Sequence, residues 1–137
     1  APRGPRGGSR VRVLSCPPDT GALREAIREL AVASEGKSRR TWAVLGPVPR
    51  ASREELMDLG RFLVRLDISS LVAVGEAGAV HAGAVLEGSW GEESRHVDSP
   101  DAALTLLRAD LTDHDVVLVS GVPEVLRAVS ALTGGAR

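Results

Sequence analysis

Among 137 residues there is a single cysteine, Cys16. An internal disulfide is therefore excluded, and nothing points to a cross-linked secreted scaffold. No stretch approaches the roughly 20 apolar residues that a membrane-spanning helix needs. The opening residues APRGPRGGSR carry no apolar segment of the kind a signal peptide has. These absences lead us to expect a cytoplasmic protein with no membrane partner. Charge of one sign is lacking too: 17 basic residues face 18 acidic ones, for a net charge of −1, so no overall field gathers nucleic acid. Arg3, Arg6, Arg10 and Arg12 could form a basic arm, but no aromatic residues are interleaved with them. We read residues 1–9 as a flexible, solvated leader and expect no nucleic-acid partner.

What is present fits one compact soluble domain, residues 10–137, with 43% hydrophobic and 26% charged residues. Its apolar pattern alternates between two periods. Short runs at 11–14, 41–45, 70–74, 95–97 and 116–119 read as strands. Between the first two, Leu23, Ala26, Ile27, Leu30 and Ala31 fall on one helical face. Ser52 with Glu55 makes a capping box ahead of Leu56, Leu59, Leu63 and Leu66. Residues 77–86 read as a helix weakened by Gly83, Ser99-Pro100-Asp101 begins another, and residues 123–132 form the last. Strands alternating with helices at this spacing specify an α/β, Rossmann-like three-layer fold. We expect a mostly parallel sheet of five to six strands with helices on both faces. Ligands of such sheets bind beyond the carboxyl ends of the strands, which places the candidate rim at residues 15–19, 46–50, 75–78 and 120–123.

Two nucleotide signals fail at that rim. No G-x-G-x-x-G follows the first strand, which argues against a dinucleotide. Gly36-Lys37-Ser38 matches the end of a P-loop, but Ala31 stands where the string needs its first glycine, and the triplet follows a helix instead of a strand. Gly36 reads better as a C-terminal helix cap. Cys16 could be a nucleophile, yet a small half-buried thiol is the plainer reading. His81, His96 and His114 lack metal-ligand spacing and read as surface or loop residues, and no metal site is expected. Asp113, His114 and Asp115 read as turn and cap residues at the amino end of the sheet. Trp42 opens a strand and covers the edge of the core, whereas Trp90 lies in a polar loop where it could stack on a ring.

The succession VRVLSCPPDTGALREAI, TWAVLGPVPRASREELMDLGRFLVRLDISSLVAVGE and RHVDSPDAALTLLRADLTDHDVVLVSG resembles the C-terminal domain of the Mur ligases, most closely the MurF type. The likeness covers nearly the whole chain from about Ser9. It implies one domain of an ATP-dependent ligase that joins a UDP-linked muramyl precursor to an amino acid or dipeptide in peptidoglycan synthesis. On this reading ATP and Mg²⁺ belong to the full-length ligase, and this domain alone binds no cofactor and is not catalytic. Its partners are then the central ATPase domain, in the same or another chain, and the amine substrate. The site motifs are degenerate. Where the family has D-x-Y-N-A-N-P, this chain has Leu14-Ser15-Cys16-Pro17-Pro18-Asp19-Thr20, so only Asp19 stands in for the second asparagine. A-V-L-G-D-M-x-E-L-G becomes AVLGPVPRAS, with Pro47 for the aspartate and Arg50 for the glutamate. K-G-S-R becomes Ser120-Gly121-Val122-Pro123. The resemblance thus assigns substrate binding to Asp19, Gly46, Arg50, Ser120 and Gly121, and no catalytic residue. The alternative from another class is a stand-alone, non-catalytic binding or regulatory module, and a third is an unrelated small α/β domain with a ligand at the same rim.

Overall fold

The computed structural model describes residues 11–34, 39–88 and 93–133. The leader at 1–9, the Gly36-Lys37-Ser38 triplet and Trp90 lie outside them. Five strands and five helices alternate: β1 (Arg12–Ser15), α1 (Thr20–Ala33), β2 (Thr41–Leu45), α2 (Arg53–Arg65), β3 (Ser70–Val74), α3 (Gly78–Glu87), β4 (Ser94–Val97), α4 (Pro100–Asp110), β5 (Val116–Ser120) and α5 (Pro123–Thr133). A 3₁₀ turn, Gly75–Ala77, leads into α3. The sheet order is β1-β5-β2-β3-β4, and every pairing is parallel. The expected α/β class is observed, with five strands.

Period-two alternation divides the core into two layers. Ala43, Leu45, Leu71, Ala73, Val116 and Leu118 point towards α1, α2 and α3, where Leu23, Ile27, Leu30, Leu59 and Leu63 meet them. Trp42, Val44, Val72, Val74, Val117 and Val119 point the other way, onto Ala103 and Leu107 of α4 and Val125 and Val129 of α5. Register keeps like with like: Ala43 lies beside Leu118, and Val44 beside Val119. The chain runs outward from β1 to β4 with helices on one face, then crosses back through α4 to insert β5 between β1 and β2. The loops after β1 and β2 therefore lead to one face and the loop after β5 to the other. Such a reversal opens a crevice at the carboxyl end of a parallel sheet.

Local signals explain the helix starts. Asp19 Oδ2 accepts the Ala22 N–H at 3.0 Å and caps α1. The capping box of α2 is complete in both directions, with Ser52 Oγ on the Glu55 N–H and Glu55 Oε1 on the Ser52 N–H. Ser99 caps α4, with Pro100 at its first position. Ser34 is the residue that closes α1. Gly83, which weakens α3 by propensity, is where α3 meets the Met57 backbone of α2, and a Cβ there would collide with it. Contact between the two helices thus overrides the intrinsic cost of glycine.

Two readings from the sequence are incomplete at this level. Asp115 does close the turn, its carboxylate accepting the Thr112 N–H at 2.9 Å and hydroxyl at 2.8 Å. It does more than that, because it is only 1% exposed and also accepts Trp42 Nε1 at 2.9 Å and Arg40 Nη2 at 2.9 Å. Burial works to raise its pKa, but the bonds from Arg40, Thr112 and Trp42 outweigh burial and hold it below the usual carboxylate value. His96, read as a surface or loop residue, is exposed and His81 is half-buried, and both have partners. His81 Nδ1 lies 2.6 Å from Ser94 Oγ, and His96 Nε2 lies 2.7 Å from the Gly75 carbonyl oxygen, so the pair ties edge strand β4 to the start of α3. Burial, with the neighbouring His96, pushes the His81 pKa down. His114 is exposed in the turn, as expected.

Candidate substrate pocket at the carboxyl end of the sheet

The loops after β1, β2 and β5 meet at the crevice, and two glycines set how closely. Gly46 N–H donates to the Ser120 carbonyl at 2.8 Å. A Cβ on Gly46 would collide with the Gly121 carbonyl. Gly121 takes φ 78°, a left-handed conformation that side chains other than glycine rarely adopt. The backbones after β2 and β5 are thus packed directly on one another. From the β1 side, Ser120 Oγ donates to the Cys16 carbonyl at 2.9 Å. Gly46, Gly121 and Ser120, three of the five residues the sequence assigned to the substrate, therefore brace the rim, and Ser120 is only 4% exposed.

Above this frame lie two depressions. The first, of about 290 Å³, is bounded by Asp19, Thr20, Arg50 and Glu55 with Pro18 and Pro49. Asp19 and Arg50, the other two assigned residues, are thus brought together, although 31 positions separate them in the chain. Arg50 is held at φ 71°, unusual for a residue with a Cβ, and no hydrogen bond or ion pair engages its guanidinium among the described residues. Asp19 and Glu55 each use one carboxylate oxygen to cap a helix. The amino ends of α1 and α2 open onto the same space and bring partial positive charge. The pocket thus offers charge of both signs. Glu55 was read only as a capping residue, and its place in the pocket follows from the α2 start lying beside the α1 start, which no local pattern reveals.

The second depression, of about 440 Å³, lies between the β1 and β5 loops. Its walls include Cys16, Pro47, Val122, Pro123 and Leu126, and none of its lining residues is charged. The Cys16 thiol is raised above its ordinary pKa chiefly by burial, so it is a poor nucleophile. Among the described residues no group of three or more histidine, cysteine or acidic side chains could hold a metal, and no helix is long and apolar enough to cross a membrane.

No protein-family model matches the chain. Among curated proteins it is 49% identical over 88 residues to the UDP-N-acetylmuramoyl-tripeptide--D-alanyl-D-alanine ligase of Mycobacterium leprae, a match covering 60% of this chain and 17% of that protein. To the enzyme of the same name from Mycobacterium tuberculosis it is 40% identical over 117 residues, covering 72% of this chain and 23% of the other. This chain matches the C-terminal domain of a MurF-like ligase. The matched segment covers less than a quarter of the length of either relative. Solved structures agree on the fold. MurF from Acinetobacter baumannii superposes with a TM-score of 0.64 at 19% identity, over 93% of this chain and 28% of that one. A single domain of a UDP-N-acetylmuramate:L-alanyl-gamma-D-glutamyl-diaminopimelate ligase from Haemophilus ducreyi gives 0.59 at 15% identity, over 93% of each chain.

Proposed function

We propose that this domain holds the incoming amine substrate of a MurF-like, ATP-dependent amide-forming ligase of peptidoglycan precursor synthesis, in the cytoplasm, and is not catalytic alone. One observation carries the reading: Asp19, Glu55 and the unpartnered Arg50 converge in a single pocket at the carboxyl end of the sheet. An amino acid or dipeptide is a zwitterion. Arg50 suits its carboxylate, and the Asp19 carboxylate suits its ammonium group. Gly46, Gly121 and Ser120 serve this site as its frame. ATP and Mg²⁺ belong, on this reading, to a central ATPase domain of the same or another chain, against which this domain closes.

The test is Arg50→Ala in an active full-length parent ligase. Loss of one charge-assisted contact should raise the KM for the amine substrate or lower kcat, about 10- to 100-fold in kcat/KM, with the KM for ATP unchanged. Unaltered kinetics would remove the pocket from the substrate path. A second reading, a non-catalytic binding module, draws on the proline-rich rim and on Ser120-Gly121-Val122-Pro123, which brings no lysine or arginine to the turn after β5. Inactivity of the full-length parent would favour it.

A further inference from the structure

Asp19 and Glu55 against Arg50 leave the side chains that line the charged pocket with a surplus of one negative charge. Capping occupies only half of each carboxylate. Asp19 Oδ2 accepts the Ala22 N–H and Glu55 Oε1 the Ser52 N–H, while Asp19 Oδ1 and Glu55 Oε2 have no hydrogen-bond partner among the described residues. Nor does either acid form an ion pair with Arg50, although all three line a space of about 290 Å³. We propose that Glu55 is a specificity-determining residue: its free oxygen joins that of Asp19 in seating the single ammonium group of the substrate, and its charge turns away an amine substrate that carries a second carboxylate. This rests on the reading of the pocket as the amine-substrate site and adds what that site rejects.

Charge balance favours this role. The amino ends of α1 and α2 each contribute about half a positive charge, which brings the pocket close to neutral. A zwitterion of no net charge then enters without leaving a surplus, its carboxylate on Arg50 and its ammonium group on the two free oxygens. A further carboxylate would meet no second cation, because Arg50 is the one basic residue among those described in the lining, and it would stand against two acids. An unpaired charge set against the wrong ligand is a source of selectivity. The cap of α2 does not itself require the charge of Glu55, since glutamine serves a capping box as well. What the charge adds is directed at the pocket.

The test is Glu55→Gln in an active full-length parent ligase, because glutamine keeps an oxygen for the Ser52 N–H and removes only the charge. The substrates are D-alanyl-D-alanine, D-alanyl-D-glutamine and D-alanyl-D-glutamate, the last two alike in shape and different by one carboxylate. The parent should favour the glutamine dipeptide over the glutamate dipeptide in kcat/KM. Glu55→Gln should shrink that preference about two- to fivefold, the scale of charge effects that water still reaches, and should raise the KM for D-alanyl-D-alanine. Thermal unfolding should be unchanged, which separates substrate seating from a structural role. Glu54→Gln, in the same first turn of α2 but outside the pocket lining, should leave the preference as it is. A preference unmoved by Glu55→Gln, or moved equally by Glu54→Gln, overturns the role of Glu55; if Arg50→Ala still lowers kcat/KM, the amine-site reading survives. If neither Glu55→Gln nor Arg50→Ala alters the kinetics, that reading falls and takes this inference with it.

Discussion

The two ends of the sheet treat charge in opposite ways. At the amino end Asp115 is almost completely buried and its two oxygens are shared among Trp42, Thr112 and Arg40, while Arg40 also reaches the Asp110 carbonyl and stacks over the Trp42 ring. At the carboxyl end Arg50 stands in the open with no partner among the described residues, in a backbone conformation that costs energy, among prolines and glycines. A fully satisfied buried network makes one arrangement rigid. A solvated charge on a strained loop can engage a ligand without giving up a partner in the fold. The amino end holds the domain together, whereas the carboxyl end leaves Arg50 exposed at the edge of a pocket.

That contrast predicts where substitution should hurt stability most. Asp115→Ala leaves the buried Trp42 N–H and the Thr112 N–H without an acceptor, at about 1–3 kcal/mol each. Arg40 is half exposed and can return to water. The expected loss is about 3 kcal/mol, or roughly 10 °C in Tm for a chain of this size, measured by thermal unfolding. Asp115→Asn keeps one acceptor oxygen and should lose about half as much. The folded pKa of Asp115 is depressed, so its contribution is complete above the unfolded value near 3.9 and is lost as pH falls through the lower folded value. Acid titration of the Asn variant should therefore lack that part of the destabilisation. Equal stability of wild type and Asp115→Ala would erase the contrast.

Next in size is the one place where the carboxyl end is also rigid. Gly46→Ala forces a Cβ against the Gly121 backbone and should cost about 2 kcal/mol, as overpacking does. It should also speed Cys16 alkylation by parting the loops that wall the cleft, which an unfolding curve combined with alkylation kinetics can read. A tolerated alanine would show that the two loops are free to part. Asp19→Ala ranks third. Removing a helix cap costs about 1 kcal/mol, and a loss well above that would mean that Asp19 also binds within the fold.

Much of this architecture was legible because local and tertiary requirements agree. The Ser52/Glu55 box, the Ser99-Pro100 start and the runs of valine and leucine named the elements, and their alternation named the fold. The amino-end network was not legible, since Trp42 and Asp115 lie 73 positions apart and only strand order makes them neighbours. The same holds for the partners of His81 and His96, which appear only once β4 lies beside β3. At the rim, the sequence placed Asp19 and Arg50 on loops that the fold brings to one pocket. It gave no sign that Gly46 and Ser120 face each other as bracing or that Glu55 shares the pocket, because close approach between loops leaves no periodic trace.

The smallest effect is the most telling for Arg50. Alanine at this position keeps a Cβ and thus the strain of φ 71°, while the solvated guanidinium it removes holds nothing in the fold. Arg50→Ala should therefore change stability by less than about 0.5 kcal/mol. Arg50→Gly relieves a left-handed conformation worth on the order of 1 kcal/mol, against a gain in unfolded-chain freedom of about 0.5–1 kcal/mol. The glycine variant should come out equal to the arginine protein or slightly more stable. Both variants should lose the same charge-assisted contact to a zwitterion. Denaturant unfolding of the three proteins, beside dipeptide titrations, separates the two roles: stability nearly level with binding lost in both variants is what a ligand-directed arginine requires. Should Arg50→Ala instead cost more than about 1 kcal/mol, beyond the usual range for a surface change, the guanidinium would have a partner within the folded chain, and the carboxyl end would be another satisfied network like the one around Asp115.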